Sequence, residues 1–187
     1  SKNLYKTFKN SNSSKAHGIV LRQDGSNGKF YFSLKEESVE DENVIFLNRI
    51  YGGHLGLYEG MVVLEEIERL IPVTDLTLSC SSADYSIVGL HKDLIEEELV
   101  NQTQIVKEGN PVIGFINSSI NIKFMVTGVK PYNANFLNSY TKVSVSIDDS
   151  SSTKKSSSDN CSTISSTVLK LSCWDPSQTN PHIPCLL

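Results

Sequence analysis

The chain has 187 residues, 39% hydrophobic and 8% aromatic, with 17 Lys and Arg against 21 Asp and Glu, for a formal net charge of -4. At roughly 150 residues per domain this allows one domain or two small lobes with a tail, and it excludes a two-module motor or a large barrel enzyme. No stretch reaches the roughly 18 to 20 uninterrupted apolar residues that cross a bilayer, and Ser1 to Lys15 holds no apolar signal-peptide core, so membrane insertion and secretion are poor readings.

Ser1 to Lys35 carries seven Lys and Arg against one acid, and Glu36 to Asp75 two against ten. A basic start is a candidate surface for nucleic acid or anionic lipid. Its lysines, however, are scattered among Asn and Ser, so residues 1–15 are expected to form a solvated, disordered arm, and no nucleic-acid partner is expected.

From Gly18 short apolar runs alternate with turn residues, the pattern of a β-rich lobe. Gly18 to Leu21 and Phe30 to Leu34 flank Asp24, Gly25, Ser26, Asn27 and Gly28, which tolerate positive φ and suit a hairpin. The acidic run Glu36 to Glu42 reads as an exposed loop. Val44 to Leu47 leads through Asn48 and Arg49 to Gly52 and Gly53. Leu55 to Leu64 is a glycine-punctuated turn feeding a strand without polar alternation, expected to be central and buried on both faces.

Pro72 marks a break. Beyond it Leu76, Leu78 and Cys80 alternate with Asp75, Thr77 and Ser79, the period of a strand. Ser82 is expected to cap a helix with Asp84 near its positive end. Ile87, Leu90, Leu94, Ile95 and Leu99 recur at helical spacing, so one interrupted helix or two short ones cover Ala83 to Val100, bending at Gly89. Further strands are expected at Thr103 to Val106, Val112 to Ile116, Ile120 to Val126 and Thr141 to Ile147, with Asn117 to Ser119 as a turn.

After Asp149 nine of the seventeen residues from Ser150 to Ser166 are serine. Such a composition buries too little apolar surface to offset ordering, so residues 149–187 are expected to be a disordered tail, with Leu169, Leu171, Trp174, Leu186 and Leu187 as candidates for a short linear docking element.

Few constellations carry chemistry. Neither Gly28-Lys29 nor Gly52, Gly53 and Gly56 completes a phosphate-binding loop, which ends in Gly-Lys-Ser/Thr. None of His17, His54, His91 and His182 accompanies a nucleophile pattern. Glu96 to Glu98 point in different directions on a helix and make no catalytic pair. Cys80, Cys161, Cys173 and Cys185 form no C-x-x-C pair and lack histidines at zinc spacing, so neither a metal nor a disulfide framework is expected, and a reduced intracellular compartment fits best. The N-x-S/T sequons at Asn12, Asn101, Asn117 and Asn160 are background in so serine-rich a chain. The residues alone lead to a two-lobed binding module, β-rich first and α+β second, with no cofactor.

One stretch says more. Ser82, Ala83, Asp84, Tyr85, Ser86, Ile87, Val88, Gly89, Leu90 and His91, followed by Ile95, Glu96, Glu97, Leu99, Gln102, Ile105 and Val106, resembles the second lobe of the peroxisome biogenesis factor 1 amino-terminal domain family. Asn48 and Arg49 with Leu55, Gly56, Leu57 and Gly60 are similar to the helix and Leu-Gly-Leu turn that close the family's barrel, and the likeness spans roughly Gly18 to Ile147.

The resemblance implies a mixed α+β fold: a double-psi β-barrel lobe over residues 16–72 and an α/β roll lobe over 73–148. The family has further strand and helix before Gly18, where this chain is polar, so the resemblance implies a fragment or short form with a shortened barrel. It also implies a role in docking adaptors or substrate for a peroxisomal type II AAA ATPase, in peroxisome biogenesis and matrix protein import. The family's ATPase modules, and pairing with peroxisome biogenesis factor 6, belong to the full-length protein. Expected partners are a protein adaptor or a ubiquitin-like protein, at a cytoplasmic location peripheral to the peroxisomal membrane. From their position beside Pro72, Arg69, Ile71 and Tyr85 are the candidate contact residues at the seam of the lobes. Two alternatives remain open: a small double-psi barrel enzyme using Asp84 or Asp75 with His91, and an anionic-lipid module using the basic start.

Overall fold

A computed structural model describes residues 17–23, 28–34, 44–116, 120–147 and 163–174. The fold is mixed α+β, with two sheets and three helices among the described residues. The chain divides into two units, unit 1 of Ser1–Glu68 with Thr163–Leu187 and unit 2 of Arg69–Ser162.

Unit 1 is a five-stranded sheet. Strands β1 (His17–Gln23) and β2 (Lys29–Leu34) pair as the expected antiparallel hairpin, Arg22 opposite Lys29. Strand β3 (Val44–Asn48) runs into helix α1 (Arg49–Leu55), where the Asn48 side chain accepts hydrogen bonds from the Ile50 and Tyr51 amides at 2.9 and 3.3 Å. Gly56 ends the helix at φ 72°, a left-handed position that glycine takes without a Cβ clash. Strand β4 (Gly60–Ile67) follows, paired with β1 on one side.

Two expectations are corrected here. The strand after the glycine turn is central, but its burial alternates at the start: Met61 faces solvent while Val62 and Leu64 are buried. The larger correction concerns the serine-rich region. Strand β9 (Thr163–Trp174) inserts between β4, antiparallel, and β3, parallel, giving the order β2-β1-β4-β9-β3. Its Leu169 and Leu171 are buried, with Val168 and Lys170 exposed in alternation with them. The serine content belongs mostly to the residues before this strand, and the alternation of Thr167 to Leu171 supplies the apolar face that the serines lack. The expected arm at 1–15, the acidic run 36–42 and residues 149–162 and 175–187 of the expected tail lie outside the described residues.

Unit 2 is a four-stranded sheet in the order β6-β7-β5-β8. Strand β5 (Asp75–Cys80) carries the expected alternation, Leu76, Leu78 and Cys80 all buried. Helix α2 (Ser82–Leu90) and helix α3 (Lys92–Gln102) follow, then strands β6 (Pro111–Phe115), β7 (Asn121–Lys130) and β8 (Lys142–Ile147). The core joins Leu76, Leu78, Val88, Ile95, Leu99, Phe124 and Val126. On the β6 edge the Gln102 side chain imitates a neighbouring strand: its amide donates to the Phe115 carbonyl at 2.7 Å and accepts from the Phe115 N–H at 2.8 Å.

The helical region differs from expectation in three ways. Ser81, not Ser82, is the cap, its hydroxyl accepting from the Asp84 N–H at 3.1 Å. The break falls at His91, not Gly89: His91 leaves helical geometry at φ -123° and ψ 24° while its carbonyl accepts from the Ile95 N–H to start α3. That break re-phases the apolar stripe, so Val88, Ile95 and Leu99 face the core while Leu90 and Leu94 are 82% and 41% exposed. Thr103 to Val106 forms no strand, only an isolated bridge from Ile105 to Phe136, with Ile105 and Val106 buried.

Candidate docking face

Arg69 to Pro72 has no strand of its own beyond a single bridge from Pro72 to Phe136, so its backbone groups need partners elsewhere. Asn135, a buried side chain on the chain between β7 and β8, supplies them. Its Nδ2 donates to the Arg69 carbonyl at 3.0 Å, and its Oδ1 accepts from the Ile71 N–H at 2.9 Å. The Ile71 carbonyl in turn accepts from the Asn135 and Phe136 amides at 2.9 and 3.0 Å. Two of the three sequence-derived candidates are therefore held by one residue. The Arg69 side chain is exposed, whereas Ile71 is half-buried and packs against the core of unit 2.

Tyr85, the third candidate, stands on α2 in the same unit, 38% exposed. Among the described residues no hydrogen bond ties it to Arg69 or Ile71; Leu90 and Leu94 are also exposed on the helical pair. The Ser81 and Asp84 side chains fix the start of α2 with a bond of 2.8 Å, and Lys92 meets Glu96 at 3.8 Å on α3. An exposed tyrosine on a capped helix can contribute contact area against a partner. Sequence reasoning missed Asn135, whose part depends on pairing across more than sixty positions; the asparagine-rich run Asn133, Asn135 and Asn138 was its one visible signal.

The geometry gives little support to acid–base chemistry. Asp84 lies in the first turn of α2 and His91 just past its end, about 10 Å apart along the axis at the helical rise. Asp84 is engaged by Ser81, and Asp75 accepts from the Thr74 hydroxyl at 2.7 Å. Burial, with Asp84 beside it, pushes the Cys80 thiol up from its ordinary range; burial and then Glu59 push the Cys173 thiol up, against a lowering pull from Arg49. Both are therefore held as neutral thiols, the unreactive form. Among the described residues no group of three His, Cys, Asp or Glu side chains is arranged to hold a metal ion, and no helix is long and apolar enough to cross a membrane.

Residues 78–147 match the family model described as Peroxisome biogenesis factor 1, N-terminal. That stretch, which is similar to this family, runs from within β5 to the last residue of β8 and lies wholly inside unit 2. The match takes in Tyr85, Asn135 and the helical pair, and stops short of Arg69, Ile71 and the first unit. A search of curated proteins returns no match to the chain.

Proposed function

We propose that the chain is an adaptor- or substrate-docking amino-terminal domain of a peroxisomal AAA ATPase, acting in peroxisome biogenesis and in matrix protein import by recycling of the import receptor. The observation that carries this reading is the family match over residues 78–147. In this reading unit 1 is a double-psi barrel lobe and unit 2 an α/β roll, and α1 with its Gly56 turn and the mixed pairing of β9 support the first of these. ATP hydrolysis and pairing with peroxisome biogenesis factor 6 belong to the full-length family protein. The domain itself works without catalysis, at the cytoplasmic side of the peroxisomal membrane, on a protein adaptor or a ubiquitin-like partner. Arg69, Ile71 and Tyr85 are the proposed contacts.

The test is affinity capture. The full chain is immobilised, exposed to extract of peroxisome-containing cells, and its captured proteins are identified by mass spectrometry. Recovery of a peroxisomal factor or ubiquitin-like protein, lost with Arg69→Glu and Tyr85→Ala, is the expected result. Recovery of neither kind of protein, or equal recovery by both variants, overturns it.

A further inference from the structure

The chain between β7 and β8 has a second, outer side. Its inner side is locked: the Ala134 N–H donates to the Pro131 carbonyl at 2.9 Å, Leu137 to Gln104 at 2.8 Å, and Tyr140 to the Asn138 side chain at 2.9 Å. The Thr141 hydroxyl donates to the Val73 carbonyl at 2.8 Å, and Ala134, Asn135 and Leu137 are buried beneath. From this fixed backbone two tyrosines stand out into solvent, Tyr132 at 77% and Tyr140 at 88% exposure.

Cations flank them. Asp75 on β5 is in register with Lys130 on β7 and with Lys142 on β8, which sets the three residues side by side on the solvent face of the sheet. Arg69 is joined to the same segment through Asn135. Between the two lysines stands the carboxylate of Asp75, already engaged by Thr74. The ion pairs of Arg22 with Glu65 and of Lys92 with Glu96 lie elsewhere. Lys130 to Lys142 contains no acidic residue, in a chain whose net charge is -4.

We propose that Tyr132 and Tyr140, with Lys130, Lys142 and Arg69, form a docking surface for an acidic segment of a partner protein. The inference rests on the docking reading above and names the partner's chemistry. Rigidly presented tyrosines contribute large contact area at little ordering cost, and arginine and tyrosine are the residues that dominate interface energetics. The uncompensated positive charge selects an acidic partner and speeds its approach.

The test titrates a fluorescein-labelled peptide of alternating Glu and Leu with the full chain, read by fluorescence polarisation. Saturable binding is expected, weakened at least about tenfold by the pair Tyr132→Ala and Tyr140→Ala and by the pair Lys130→Glu and Lys142→Glu. It should fall steeply as salt rises from about 0.05 to about 0.5 M, and a Lys-Leu peptide should not bind. Because all four side chains are exposed, thermal unfolding should stay in place; Tyr140→Ser alone serves if a double variant misfolds. No binding up to about 1 mM, or equal binding by the variants, overturns the proposal. So does binding to phosphatidylserine-containing vesicles in place of the peptide, which would make the face a membrane contact. The two readings fail separately. If a peroxisomal partner is captured equally by Tyr132→Ala and Tyr140→Ala, this surface is wrong and the docking role stands. If the peptide binds while no such partner is captured, the surface stands and the peroxisomal role is wrong.

Discussion

Ile71 and Asn135 hold each other through both backbone and side chain: Ile71 donates its N–H to the Asn135 carboxamide, and the Asn135 N–H donates back to the Ile71 carbonyl, each at 2.9 Å. Removing the carboxamide leaves the Ile71 N–H and the Arg69 carbonyl to find other partners. Asn135→Ala should therefore lower the stability of unit 2 by about 1 to 3 kcal/mol. Asn135→Asp keeps the acceptor for Ile71 but sets a carboxylate oxygen against the Arg69 carbonyl, so it should not restore stability at neutral pH. Urea unfolding followed by circular dichroism, with hydrogen exchange at the Ile71 amide, checks both.

Gly114 lies where β6 passes under the Phe124 ring. A Cβ there would come within 2.9 Å of the ring's Cε2 and 3.4 Å of a Leu99 methyl. Phe124 is fully buried and cannot swing away, so Gly114→Ala should destabilise unit 2 by about 1 to 3 kcal/mol through overpacking. Thermal unfolding is the measurement, and an unchanged midpoint would mean that this core is looser than its contacts indicate.

Strand β9 gives a paired test. Leu171 is fully buried and Val168 is exposed, on opposite faces of one strand. Leu171→Asp buries a carboxylate without a partner and should cost on the order of 3 to 5 kcal/mol in unit 1, whereas Val168→Asp should stay within about 0.5 kcal/mol. If the region behaved as a tail, both changes would be neutral in denaturant titration.

Burial and the neighbouring Asp84 raise the Cys80 thiol above its ordinary value of 9.0, so the folded state favours the neutral form. The stability linked to this group is fully present below the unfolded value and is lost as pH rises through the higher folded value. Alkylation of Cys80, read by mass spectrometry, should be slow in the folded protein at about pH 8 and quicken only well above the pH at which the unfolded chain reacts. Equal rates in the folded and unfolded chain would contradict the burial.

Unit 2 was legible where a local period met a sheet or helix. The alternation of Leu76, Leu78 and Cys80 needs no knowledge of neighbours, and it placed β5 correctly. The helical stripe was misassigned because one residue, His91, departs from helical geometry and turns the apolar face, which spacing alone does not record. Strand β9 was hidden for a different reason. Its alternating Thr167 to Leu171 was present in the sequence, but averaging over the serine run before it made the region look incapable of burial. Of the candidate contacts, Arg69 and Ile71 followed from Pro72. Asn135 did not, because a buried amide that completes two backbone groups on a distant segment has no local signature.

Docking of a protein partner on unit 2, as proposed above, should be visible at its backbone amides. Hydrogen exchange on the full chain, with and without the partner recovered by affinity capture, tests it most directly. Slowed exchange is expected in unit 2 alone, at Arg69 to Ile71, along the start of α2 and between β7 and β8. Slowed exchange confined to the strands of unit 1, or no change at any described amide, would contradict it.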